Sequence, residues 1–224
     1  MTTHIVRLWL PDVPGTLGRV AAAIGRASGD VTGIEILERG AGMAIDELLV
    51  ELPDGASVDD MVTEISRVEG VAVEDVHPVA PDRSDQSVLA LEVAASIMEV
   101  PAPVRLQHMS DRVCDMLEAE WCAVLRTGEG IPAAVAGDVP DLAWVVAFLD
   151  GTRHLETGET VQTTLGDVAW AWIPEIPGAV VCQRQKRSFR WRERQHLRLI
   201  ARIVGASLKS GTITSSSGET APPL

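Results

Sequence analysis

Hydrophobic positions in the first eighty residues switch repeatedly between two periods. From His4 to Leu10 the side chains divide into Ile5, Arg7 and Trp9 on one face and Val6, Leu8 and Leu10 on the other, the alternation of a strand. Beyond Pro11-Asp12-Val13-Pro14-Gly15, residues Leu17, Val20, Ala21 and Ile24 follow the i, i+3, i+4, i+7 spacing of an amphipathic helix, which Gly29 is expected to end. Residues 31–38 read as a second strand, 38–42 as a turn and 44–52 as a third strand, in which Glu47 and Glu51 alternate with Leu48, Val50 and Leu52. These two strands form a hairpin. After Pro53-Asp54-Gly55, Val58, Met61, Val62 and Ile65 repeat the helical stripe with Ser57 as its cap, and Gly70 leads into a strand at 71–79. The order β-α-β-β-α-β is the ferredoxin-like split βαβ pattern, with both helices on one sheet face and the other face left to a partner.

The polar stretch Ala80 to Ser87 reads as a linker. A helix then covers 87–98, broken by Pro101 and Pro103, and Leu106, Met109, Val113, Met116 and Leu117 form a further apolar stripe. A strand is predicted at 121–126, a helix from Pro140 through Leu149, and strands around Val161, at 169–173 and at 179–184. The last helix runs from about Arg190 to Leu208 with Leu197, Ile200, Ala201, Val204 and Leu208 on one stripe. Residues 210–224 are too rich in Ser, Thr, Gly and Pro to pack and read as a disordered tail. The predicted organisation is thus an α+β domain at 1–79, a linker at 80–87, a second α+β domain at 88–209 and a tail.

Composition agrees with this division. The chain has 224 residues, 46% hydrophobic and 23% charged, which suits globular structure in one large or two small domains. The most apolar run, Leu142 to Leu149, is far below the roughly 20 residues that span a bilayer. The N-terminal residues lack the basic start and long apolar stretch of an export signal, so a cytoplasmic location is expected. Three cysteines, Cys114, Cys122 and Cys182, with no CxxC spacing, are expected to be reduced and buried. The net charge is −13, but it is unevenly spread. Residues 1–183 hold 10 basic and 30 acidic side chains, whereas eight basic residues fall between Arg184 and Arg202 against Glu193 alone. Asparagine and tyrosine are absent, which removes chemistry that needs an Asn carboxamide or a phenol.

The most informative corner is Asp12-Val13-Pro14-Gly15-Thr16-Leu17. Glycine there admits a ligand to the backbone, and free amides of Gly15, Thr16 and Leu17 at a helix start receive a carboxylate or phosphate. Asp12 is placed to accept a hydrogen bond from an ammonium group, so the set suits a zwitterion such as an amino acid. The alternative reading is that Asp12 and Thr16 only cap the helix and Gly15 only makes the turn.

The segment DVPGTLGRVAAAIGRASGDVTGIEIL, the hairpin after it and VEGVAVEDV resemble the ACT domain, including its D-x-P-G-x-L turn at Asp12, Pro14, Gly15 and Leu17. ACT domains are regulatory modules that commonly bind amino acids where two copies meet. The resemblance implies ligand contacts at Asp12, Val13, Gly15, Thr16 and Leu17, and on the second strand at Gly33 and Ile34. Many members begin that strand with Asn; this chain has Val31-Thr32, so the Thr32 hydroxyl stands where the carboxamide would be. The second half, through AEWCAVLR and the ending AVVCQRQKRSFRWRERQHLRLIARIVGASL with Phe189, Glu193 and Leu197, resembles the GAF domain, a sensor module with an antiparallel sheet and flanking helices. Trp144, Trp170, Trp172 and Phe148 read either as lining an apolar cavity there or as ordinary core.

The basic run Arg184 to Arg202, interleaved with Phe189 and Trp191, has two readings. It is either an anion grip, nucleic acid included, or a solvated and ion-paired helix face, which the acidic remainder favours. His4, His77, His108, His154 and His196 are scattered without a metal spacing, and no GxSxG or P-loop occurs. Cys114 or Cys122 beside His108 is the only imaginable nucleophile and base. No catalytic residue, metal or cofactor is therefore expected. The expected function is a non-catalytic, dimeric sensor that binds a small molecule, an amino acid, through the first domain; the second reading is an adaptor working through the basic helix.

Overall fold

The computed structural model describes residues 1–80, 85–126, 132–152, 161–163, 166–174, 176–185 and 187–213. The chain divides into two compact units, Met1–Asp85 and Gln86–Leu224.

In the first unit, β1 (Thr2–Pro11), α1 (Thr16–Arg26), β2 (Asp30–Gly40), β3 (Met43–Leu52), α2 (Val58–Ser66) and β4 (Ala72–Val79) follow one another as the periodicity predicts. The sheet order is β2-β3-β1-β4 and every pairing is antiparallel. Register fixes the faces. Val6 lies opposite Leu48 and Leu10 opposite Ala44, and these residues pack with Val20, Ala23 and Ile24 of α1 and Met61 and Ile65 of α2 in one core. The even-numbered side of β3 thus lies under the helices. On the odd-numbered side Arg7 stands opposite Glu47, and Arg7 Nη2 donates to Glu47 Oε2 at 2.7 Å in a buried pair. Ser57 caps α2, its hydroxyl accepting from the Asp60 N–H at 3.2 Å. The end of α1 differs from expectation: the left-handed residue is Ser28, with φ 64°, and the Gly29 N–H closes back on the Ile24 carbonyl at 3.0 Å.

The second unit comprises α3 (Gln86–Glu99), a 3-10 turn at Ala102–Val104, α4 (Arg105–Met116), β5 (Trp121–Arg126), β6 (Pro132–Gly137), α5 (Leu142–Thr152), β7 (Val161–Thr163), β8 (Gly166–Ile173), β9 (Gly178–Arg184) and α6 (Trp191–Ile213). Its five strands form an antiparallel sheet in the order β6-β5-β9-β8-β7. One face packs on α3, α4 and α6 through residues such as Val93, Ile97, Met109, Val113, Leu197 and Val204. The other packs on α5 through Trp121, Val145, Leu149 and Trp170.

Several expectations are corrected. Strand β6 was not predicted, because PAAVAG carries small residues with little alternation. The helix α3 begins at Gln86, inside the expected linker, and α6 continues to Ile213, four residues into the expected tail. Residues 81–84 of that linker and 214–224 of that tail lie outside the described residues. Cys122 and Cys182 are not reduced thiols. They stand directly opposite each other on β5 and β9 with Cα atoms 4.2 Å apart, joined as a disulfide, a pairing that 60 residues of separation hide in the sequence. Cys114 is free and buried.

Where α6 crosses β8, Gly205 has no room for a side chain, since a Cβ would collide with the Pro174 carbonyl oxygen and lie 3.2 Å from Ile173 Cγ2. Gly205→Ala should lower stability by about 1–3 kcal/mol, the usual cost of overpacking, rather than raise it as alanine does in an open helix. The midpoint of urea unfolding measures the sign.

Candidate functional site

The corner between β1 and α1 is built from its backbone outward. Proline at 11 and 14 restricts the turn, and the Asp12 N–H donates to the Gly42 carbonyl at 2.9 Å, tying the corner to the β2–β3 hairpin. Gly15 is the residue before the helix and has φ 89°, a left-handed conformation that side-chain-bearing residues rarely adopt. No side chain caps α1. The reading of Asp12 and Thr16 as caps is thereby set aside: the Thr16 hydroxyl accepts from Arg19 Nη2 at 3.1 Å, and Asp12 Oδ2 instead lies 3.9 Å from Arg39 Nε. A helix start without a side-chain cap leaves backbone N–H groups for something else.

A cavity of about 320 Å³ opens at this corner, in the lower range of small-molecule sites. It is lined by five of the expected residues, Asp12, Val13, Gly15, Thr16 and Leu17. Thr32, Gly33 and Ile34 do not line it. They lie further down β2, where Gly33 pairs with Leu49, the Thr32 hydroxyl donates to the Leu49 carbonyl at 3.4 Å, and Ile34 is 50% exposed on the edge strand. From the hairpin the cavity instead takes Ile36 and Arg39 of β2 and Ala44 and Asp46 of β3.

Asp46 is the residue that sequence reasoning missed. It faces Leu8 across the β1–β3 ladder, on the side of β3 that otherwise carries Ala44, Leu48, Val50 and Leu52 into the core. Its exposure is 3%, and its Oδ1 is buried with no hydrogen-bond partner. Burial pushes its carboxyl above the ordinary aspartate value, the nearby Asp12 adds to the rise and Arg39 opposes it. The signal was present in AIDELLVEL: the alternation that assigns Leu48 and Val50 to the core also assigns Asp46 to it.

The basic run is largely internal. Arg184, Arg190 and Arg194 are buried. Arg184 pairs with Glu193 at 2.8 Å and donates to the Leu117 and Ser188 carbonyls. Arg194 forks onto both oxygens of Asp167, at 3.0 and 3.1 Å, and Arg187 pairs with Glu118. Phe189 lies between the Arg184 and Arg194 guanidiniums, 4.1 and 5.8 Å from its ring centre. Within this run, Arg198 and Arg202 are the exposed basic side chains among the described residues. The four aromatic residues also pack inward: Phe148 stacks on Trp144 and meets Trp170 edge-on at 5.4 Å, with Trp172 against the same cluster.

Nothing at the cysteines favours catalysis. Burial raises the Cys114 thiol to about 11, Asp115 and Asp111 add to the rise, and its Sγ donates to the Ala119 carbonyl. Cys122 is in the disulfide. Among the described residues no three His, Cys, Asp or Glu side chains gather as a metal site, and no helix is long and apolar enough to cross a membrane.

The first unit is thus a split-βαβ module with a cavity at an uncapped helix start. In the comparison with known families, residues 4–70, within the first unit, match the ACT domain. The chain is 26% identical to NAD-dependent malic enzyme 1 of Bacillus subtilis (strain 168) over 184 residues, 80% of this chain but 38% of that protein. It therefore spans well under half of that relative's length. Among solved structures it is similar to the GAF domain of a phosphoenolpyruvate-protein phosphotransferase from Coxiella burnetii, with TM-score 0.48, 13% identity, 58% of this chain and 96% of that one covered. It is also similar to the GAF domain of the phosphoenolpyruvate-protein phosphotransferase from Acinetobacter, with TM-score 0.42, 14% identity, and 62% and 100% covered. The second unit itself is a five-stranded antiparallel sheet with helices on both faces.

Asp46 is a neutral-pH liability to the protein without ligand. Its folded-state affinity for a proton exceeds the unfolded one, so its contribution worsens as pH rises above the ordinary aspartate range. Asp46→Asn should raise stability at neutral pH by about 1 kcal/mol, the scale of one unsatisfied buried group. The gain should fade toward acid as Asp46 takes up its proton, a trend that thermal unfolding across a pH series reads directly.

Proposed function

We propose that this chain is a non-catalytic regulatory sensor that binds an amino acid at the β1–α1 corner of its ACT domain and works as a homodimer in the cytoplasm. The observation that carries the reading is the ligand-sized cavity at a helix start that no side chain caps. In the proposed mode the ligand carboxylate takes the N–H groups of Gly15 and Leu17 and draws that of Thr16 from the Val13 carbonyl, to which it donates at 3.3 Å, aided by the helix dipole, and its ammonium group takes Asp12. Val13 covers the rim. Arg19, already on the Thr16 hydroxyl, adds positive charge beside the carboxylate.

Dimerisation gives the edge strand a role. β2 ends the sheet with Ile34 exposed, and an unpaired edge is a natural place for a second copy. There, Thr32, Gly33 and Ile34 would contribute from the neighbouring copy to a site shared between the two. The GAF-like unit then relays the bound state or senses a small molecule of its own. Such coupling requires the ligand to bind one arrangement of the dimer better than another. The reaction named for the malic enzyme relative is not carried over, since the chain spans 38% of that protein. The resemblance instead suits a regulatory region.

Isothermal titration of the full chain against the twenty amino acids tests this reading. Heat is expected with a subset of them, and Asp12→Asn should weaken that binding about tenfold while leaving the melting temperature unchanged. Silence with all twenty would sink the amino-acid sensor. Gly15 is the poorer position to vary, because its φ of 89° makes any side chain a folding defect as well. Sedimentation should give twice the monomer mass, and a charged residue at Ile34 should reduce it to one.

A further inference from the structure

Two carboxylates line the cavity, Asp12 and Asp46, where an ordinary amino acid has a single ammonium group to meet them. Asp12 lies toward solvent, its side chain 40% exposed, and can meet an α-ammonium group at the rim. Asp46 lies in the wall beneath it, 3% exposed, with Oδ1 unpartnered. Its surroundings offer Arg39, whose side chain is 57% exposed and whose Nε sits 3.9 Å from Asp12 rather than in a hydrogen bond with Asp46. The apolar neighbours Leu10, Ala44 and Ile36 cannot supply a donor. An ionised carboxylate in such a place is costly unless a cation reaches it.

Resting on the amino-acid reading above, we infer that Asp46 selects the ligand's side chain, and that the cavity takes a diamino monocarboxylic acid of the lysine or ornithine type. The division of charge along the cavity matches that ligand end to end. Its carboxylate goes to the helix start, its α-ammonium to Asp12 at the rim, and its side-chain ammonium to Asp46 in the wall. The methylene stem lies along Leu10 and Ile36. A neutral side chain would leave Asp46 buried without a partner, and an acidic one would place a second carboxylate against it, so both are selected against.

Titration calorimetry of the full chain near neutral pH with L-lysine, L-ornithine, L-norleucine, L-glutamate and cadaverine tests the inference. Lysine or ornithine should bind about tenfold or more tighter than norleucine, which has the same stem without the terminal ammonium. Cadaverine, lacking the carboxylate, should bind more weakly than lysine. In Asp46→Asn the preference for lysine over norleucine should vanish while norleucine affinity holds within about twofold. Asp46→Ser serves the same purpose should the Asn variant fail to fold by thermal unfolding. Norleucine or glutamate binding as tightly as lysine, or a lysine preference that survives both substitutions, would overturn the role of Asp46 and leave the amino-acid site standing. No heat with any of the twenty amino acids would remove both.

Discussion

A single backbone hydrogen bond, from the Asp12 N–H to the Gly42 carbonyl, decides what can meet at the working corner of the first unit. It pins the exit of β1 to the tip of the β2–β3 hairpin. Because β1 and β2 flank β3 and run the same way, the end of β1, the end of β2 and the start of β3 all arrive at this level of the sheet. That convergence brings Arg39 and Asp46 under the first turn of α1, from positions more than twenty residues away along the chain. Gly15 completes the geometry. Its left-handed φ turns the chain so that α1 starts directly over the cavity with no side chain bound to its first N–H groups. A different residue there would have to carry the strain or move the helix.

The second unit solves a different electrostatic problem. Its basic run lies in an acidic chain, and the structure places the most buried of those arginines where acidic side chains can meet them. Arg194 on Asp167 joins α6 to the start of β8, and Arg184 on Glu193 joins the end of β9 to α6. Phe189 fills the space between the two guanidiniums. Such pairs contribute little net stability over a well-packed apolar contact, but removing one partner leaves a buried charge alone, so they specify how the last helix closes on the sheet. They also change the meaning of the charge asymmetry. A cluster that reads as an anion grip along the sequence is mostly consumed inside the fold, leaving Arg198 and Arg202 exposed among the described residues.

The elements of the first unit were legible because each has one dominant period: Val6, Leu8 and Leu10 for a strand, Val20 and Ile24 for a helix. Their order then left few topologies open. What escaped depended on pairing between distant segments. Cys122 meets Cys182 only because β5 and β9 are neighbours in one register, and β6 was invisible because its small residues carry no alternation. The candidate site was half legible. The turn motif pointed to Asp12, Val13, Gly15, Thr16 and Leu17, which line one side of the cavity together because local sequence builds that side. On the hairpin side the cavity is lined by Ile36 and Arg39, two to seven residues beyond Thr32, Gly33 and Ile34 on β2, because which part of an edge strand reaches the corner is set by ladder register rather than by local pattern. Asp46 was legible in principle, as a charge on a face the pattern called apolar, and such breaks in an otherwise consistent pattern are where function is concentrated.

That break also bears on how the proposed sensor would respond. A buried carboxylate under α1, offset only in part by Arg39, makes the corner less stable without ligand than an apolar side chain would make it. A cation that satisfies Asp46 removes this cost only when bound, so part of its binding free energy reappears as stability of the corner. An ordinary helix cap in place of the open helix start, or leucine in place of Asp46, would give a firmer domain in every state and less difference between states. Regulation depends on that difference, because a ligand shifts an equilibrium only by the amount its affinity differs between the two ends. The two irregularities of this unit, an uncapped helix and a buried carboxylate facing one cavity, therefore act in the same direction in the proposed sensor: each is a defect of the free protein that the proposed ligand would correct.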